Sequence, residues 1–104
     1  MDLSKYSFNR RDRYSAKRSI KVHNFSIQAP DAKEVCVVGD FNQWDPTANP
    51  LTKQIGGGWL AQVPMHHGHH RYIFLIDGVP TLDPMAHGIV RNENNERLSL
   101  IAIS

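Results

Sequence analysis

His70-Arg71-Tyr72-Ile73-Phe74-Leu75-Ile76-Asp77-Gly78 reads as a strand running into its turn. Successive side chains of a strand point to opposite sides, so Tyr72, Phe74 and Ile76 share one face and are core candidates. Asp77-Gly78 closes the run with a hairpin signal, because both residue types tolerate the positive φ of a tight turn. Arg71, Ile73 and Leu75 share the other face. Two of those three are apolar, so that face is partly covered or used.

Working outward, Gly58–Val63 repeats the pattern with Trp59, Ala61 and Val63 in phase, and Gly56-Gly57-Gly58 marks the turn before it. Further strands are expected at Lys21–Gln28, Glu34–Gly39, Val79–Leu82 and Arg97–Ile103, with Ala29-Pro30-Asp31 separating the first two. Helical periodicity is nearly absent. Short apolar runs punctuated by Gly, Pro, Asn and Asp about every ten residues predict an all-β, immunoglobulin-like sandwich over residues 20–104. A chain of 104 residues is enough for one such core and no second domain.

Residues 1–19 differ in kind, being polar and basic with scattered aromatics and no hydrophobic period, and read as an N-terminal arm. Residues 1–21 hold seven Lys or Arg against Asp2 and Asp12, a net of +5. The rest holds five Lys or Arg against eight Asp or Glu, a net of −3. The arm suits a solvated tail, a contact with the sandwich or docking onto an acidic protein better than it suits nucleic acid, whose binding would be steeply salt-dependent. No run of ~18 apolar residues predicts a membrane span. The single cysteine, Cys36, allows no internal disulfide, is expected to be a buried thiol, and fits a cytoplasmic location.

Chemistry concentrates in Val37-Val38-Gly39-Asp40-Phe41-Asn42-Gln43-Trp44-Asp45-Pro46, where a strand runs into a polar turn that holds a large aromatic outside the alternating pattern. Two roles fit Trp44: packing over its loop, or stacking on the apolar C–H face of a pyranose while Asn42, Gln43 and Asn49 satisfy hydroxyls. The order and spacing of Ala29-Pro30, Glu34-Val35, Val38-Gly39-Asp40-Phe41-Asn42, Trp44, Gly58-Trp59, His70-Arg71-Tyr72, Phe74, Asp77-Gly78 and Asp83-Pro84 resemble the family 48 carbohydrate-binding modules over residues 22–103. That family includes the glycogen-binding domain of the AMP-activated protein kinase beta subunit and the N-terminal early-set sandwiches of branching enzymes and isoamylases.

The resemblance implies a non-catalytic binder of α-1,4-glucan such as glycogen, acting with or targeting a glycogen-metabolism enzyme or kinase. It assigns glucan stacking to Trp44 and a polar contact to Asn94 or Asn95. Two matches fail: Ile73 stands where the family has a lysine, and Pro80 where it has a second tryptophan. Arg71, on the same strand face as Ile73, offers hydrogen bonds in the lysine's place. With one aromatic plane missing, weak binding is expected, and a sandwich that has lost glucan binding and docks a protein is the alternative.

Met65-His66-His67-Gly68-His69-His70 invites a metal, but adjacent histidines around a turn glycine cannot all converge on one ion, so no metal or other cofactor is expected. His70 is better placed as the family's histidine at the start of its strand. A glycosidase needs two carboxylates flanking one cleft. Asp40, Asp45, Asp77 and Asp83 instead fall in turns, where aspartate caps backbone groups. No enzymatic activity is expected of this chain.

Overall fold

Alternation at period two requires each strand to bury one side, and the chain meets that requirement by folding two antiparallel sheets face to face. In the computed structural model, residues 20–104 are described. The elements are β1 (Ile20–Gln28), β2 (Val35–Gly39), β3 (Thr52–Lys53), β4 (Gly58–His66), β5 (Gly68–Ile76), β6 (Val79–Thr81), β7 (Gly88–Arg91) and β8 (Arg97–Ile103). One sheet has the order β1-β4-β3 and the other β2-β5-β8-β7, with β6 also paired to β5. The result is an immunoglobulin-like sandwich. Among the described residues no helix is long and apolar enough to cross a membrane. The basic arm at 1–19 lies outside the described residues.

The core forms where the phased residues meet. Phe25, Val37, Trp59, Val63, Met65, Tyr72, Phe74 and Ile101 are all buried between the sheets. Burying each large side chain contributes roughly 1.5–3 kcal/mol. Phe25 sits at the centre, edge-on to Tyr72 at 4.9 Å between ring centroids and stacked on Phe41 at 5.4 Å. Trp59 is 6% exposed, and its indole Nε1–H donates to the Ala29 carbonyl at 2.9 Å, so the ring's one polar group is satisfied.

A polar cluster also belongs to the interior. The Tyr72 hydroxyl donates to Asp83 Oδ2 at 2.6 Å, and the Asp83 backbone N–H donates to the oxygen of buried Ser99 at 2.9 Å. Burial, then the hydrogen bond and negative charge of Asp83, push the Tyr72 hydroxyl far above the ordinary tyrosine range. The cluster ties the segment after β6 to β5 and β8.

Three differences from the expected layout have physical causes. Thr52–Lys53 and Gly88–Arg91 are strands that the pattern did not reveal, because both are short and lie at sheet edges where alternation is not enforced. β4 extends to His66 and β5 begins at Gly68, so strands occupy most of the histidine run and only His67 is left at the corner. There the chain crosses between sheets, with Gly68 at φ 128°. Cys36 is half-buried rather than buried, since β2 turns it to the outside of its sheet, and burial still pushes its thiol up. In agreement with expectation, a turn aspartate acts as a cap: Asp77 Oδ1 accepts from Lys33 N at 2.8 Å and Glu34 N at 2.9 Å, which holds its carboxyl below the usual range.

Candidate functional site

Because Tyr72 and Phe74 point inward, Arg71, Ile73 and Leu75 must point to the outside of the five-stranded sheet. Cross-strand pairing sets Val38 beside Ile73, Leu100 beside Arg71 and Pro80 beside Leu75 on that face. An open groove of about 640 Å³ lies over this face. Its floor is apolar, made by Ile73, Pro80 and Leu98; Trp44 forms one wall and the turn after β7, with Asn92 and Asn94, forms another.

The Trp44 wall is built from the end of β2. The Gly39 carbonyl accepts from Asn42 N at 3.2 Å and from Trp44 N at 2.9 Å, folding the loop back onto the strand. Gln43 and Trp44 both take left-handed backbone, at φ 56° and 59°. For residues with a Cβ that conformation costs roughly 1–2 kcal/mol each, so the surrounding structure must impose it. Phe41 roots the loop in the core through its stack on Phe25. A Cβ on Gly39 would collide with the Phe41 ring and lie 2.6 Å from the Arg71 carbonyl oxygen, so only glycine fits where the loop leaves the sheet. Trp44 itself ends 41% exposed.

Asp40 fastens the loop's first residue to β5. Its Oδ2 accepts from Arg71 N at 3.0 Å and its Oδ1 lies 3.1 Å from His70 Nδ1. His70 Nε2 pairs with the His66 carbonyl at 2.8 Å, so the ring bridges the loop and the β4 end. Among the described residues no group of three or more His, Cys, Asp or Glu is arranged to hold a metal ion.

The model of carbohydrate-binding module 48, the isoamylase N-terminal domain, matches residues 12–86 of this chain. The chain belongs to carbohydrate-binding module family 48. The match begins inside the basic arm and ends before β7. Among similar proteins, a 1,4-alpha-glucan branching enzyme GlgB 2 of Xanthomonas oryzae is 40% identical over 67 residues, covering 60% of this chain and 9% of that enzyme. The 1,4-alpha-glucan branching enzyme GlgB of Deinococcus radiodurans is 43% identical over 54 residues, covering 52% of this chain and 8% of the enzyme. That of Oceanobacillus iheyensis is 44% identical over 46 residues, covering 40% and 7%. The chain spans less than a tenth of the length of these relatives.

Within this family 48 domain, the structure brings Trp44, Arg71 and Asn94 to the same groove. Asn42 is a correction. It is only 8% exposed, its Oδ1 accepts from Gly39 N at 3.0 Å, and its Nδ2 donates to Val37 O at 3.0 Å and to Asn49 Oδ1 at 2.8 Å. Both amide hydrogens are used, so Asn42 shapes the loop and has nothing left to donate to a sugar hydroxyl. Asn95 is likewise a turn residue, at φ 66°, whose carbonyl oxygens accept from Arg91 Nη1 at 2.9 and 3.3 Å.

Arg91, Arg97, Glu93 and Glu96 also line the groove and were not anticipated from the sequence. The only local signal for them is the Asn-rich turn Asn92-Glu93-Asn94-Asn95, which marks a hairpin but not the face it overhangs. Their membership follows from β7 pairing β8, which no motif announces.

Proposed function

We propose that this domain binds α-1,4-glucan chains without altering them, in the groove between Trp44 and the turn after β7. The carrying observation is Trp44: a large aromatic held in strained left-handed backbone, exposed, and facing an apolar floor. A side chain packing only for stability would not need that presentation. Ile73 and Pro80 extend the apolar surface on which a sugar face rests, while Arg71 and Asn94 supply donors for hydroxyls. With one indole in place of two aromatic planes, affinity is expected to be modest, at about ten- to a hundredfold below a two-tryptophan platform.

Binding rather than hydrolysis is favoured by where the groove's acids sit. Glu93 and Glu96 belong to one turn, whereas glycoside cleavage uses carboxylates on the two sides of the scissile bond. Glu96 is also engaged by Asn92 Nδ2 at 2.9 Å. The 1,4-alpha-glucan branching-enzyme relatives support a role beside α-glucan metabolism.

Retention on glycogen or amylose resin, with a maltoheptaose titration followed by tryptophan fluorescence, tests the reading. Wild type is expected to be retained and Trp44→Ala lost. Equal retention of both proteins, or of neither, overturns it. A second role, docking another protein, would draw on exposed Met85, at 80%, and Val79, at 61%. That role predicts co-purification of such a partner that Met85→Asp weakens.

A further inference from the structure

Residues 22–104 carry net negative charge, yet their cations are unevenly spread. All three arginines among the described residues, Arg71, Arg91 and Arg97, line the single groove described above. Arg91 and Arg97 are direct cross-strand partners between β7 and β8. Like charges placed opposite one another on neighbouring strands are destabilising, so the fold carries a cost here that packing does not explain. Glu93 and Glu96 line the groove too, but among the described residues no arginine there forms an ion pair: the only pair within 4.0 Å is His70 with Asp40. Arg91 spends one nitrogen on Asn95, and among the described residues its other guanidinium nitrogens make no hydrogen bond.

A neutral glucan does not require three guanidinium groups, because hydroxyls are served as well by amides. An oxyanion does: the planar fork of arginine matches phosphate oxygens in a bidentate way, and such charge-assisted bonds are stronger than neutral ones. We propose that the groove takes a hexose unit carrying a phosphate monoester, with the sugar face on Trp44 and the phosphate among Arg71, Arg91 and Arg97. This rests on the α-glucan reading and specifies its ligand. The phosphate balances the facing Arg91 and Arg97 charges that the fold otherwise leaves opposed.

The test compares phosphate-bearing amylopectin with the same polymer after alkaline phosphatase treatment, using wild type and Arg97→Gln whose folding is checked by thermal melting. Wild type is expected to bind the phosphorylated polymer about tenfold more tightly, with the ratio falling toward one in Arg97→Gln and at about 300 mM salt. A wild-type ratio near one, with both polymers bound, overturns the phosphate site and leaves the neutral-glucan reading standing. Binding of neither polymer overturns that reading and the phosphate site with it. Adding glucose 6-phosphate, with glucose as control, distinguishes the source. Displacement by glucose 6-phosphate alone supports a free hexose phosphate as occupant, and a persistent advantage supports the glucan-borne ester.

Discussion

The two tryptophans of this domain are handled in opposite ways. Trp59 lies in regular β-strand, 6% exposed, with its N–H donated to Ala29. Trp44 lies in a loop, 41% exposed, with backbone in a region that a bulky residue avoids. One region lowers its energy through a side chain; the other raises it to keep a side chain in view. The contrast separates what holds the sandwich together from what the sandwich holds out.

The sharpest test of that separation is Trp59→Ala. It empties a core site and leaves the Ala29 carbonyl unpaired, so stability measured by denaturant titration should fall by about 3–5 kcal/mol. A loss under about 1 kcal/mol would break the contrast. Asn42→Ala comes next: Gly39 N and Val37 O lose their buried partner, at a cost of about 2–3 kcal/mol. The same variant should weaken glucan retention although Asn42 faces no ligand, because the loop that presents Trp44 loses its anchor. Trp44→Gly should leave stability unchanged or raise it by about 1 kcal/mol, since glycine accepts the left-handed backbone, while glucan retention is lost.

The smallest effect concerns pH. Burial, then the nearby His87, lower the His23 ring's affinity for a proton against an opposing pull from Asp83. The unfolded ring titrates near the ordinary value of 6.5 and so binds more protons than the folded one below it. Its contribution is therefore full above pH 6.5 and declines as pH falls. Melting temperatures at pH 5.5 and 7.5 should differ in that direction, and His23→Gln should reduce the difference.

The apolar core was legible in the sequence, and the polar contacts around it were not. Trp59, Val63, Tyr72 and Phe74 announce themselves by phase, since a buried face enforces period two on every strand that supplies it. Asn42 does not, because a polar residue after a strand can turn inward to hydrogen-bond the backbone as readily as outward to water. Arg91 and Arg97 were invisible for a different reason: their partnership with Arg71 is made by strand order, β5 beside β8 beside β7, and a linear pattern carries no strand order. Trp44 was found because it interrupts the alternation.

Gly39 has a consequence for how this domain varies. A side chain there would strike the Phe41 ring and crowd Tyr72 Cβ, itself 2.9 Å from the site of the new atom. In a saturation library selected only for soluble protein, position 39 should come back empty of every alternative, while Trp44, five residues further along the chain, drifts freely. Selection on ligand capture would restore the second constraint without altering the first, so the two positions together form an internal control that reports foldedness and recognition from one set of reads.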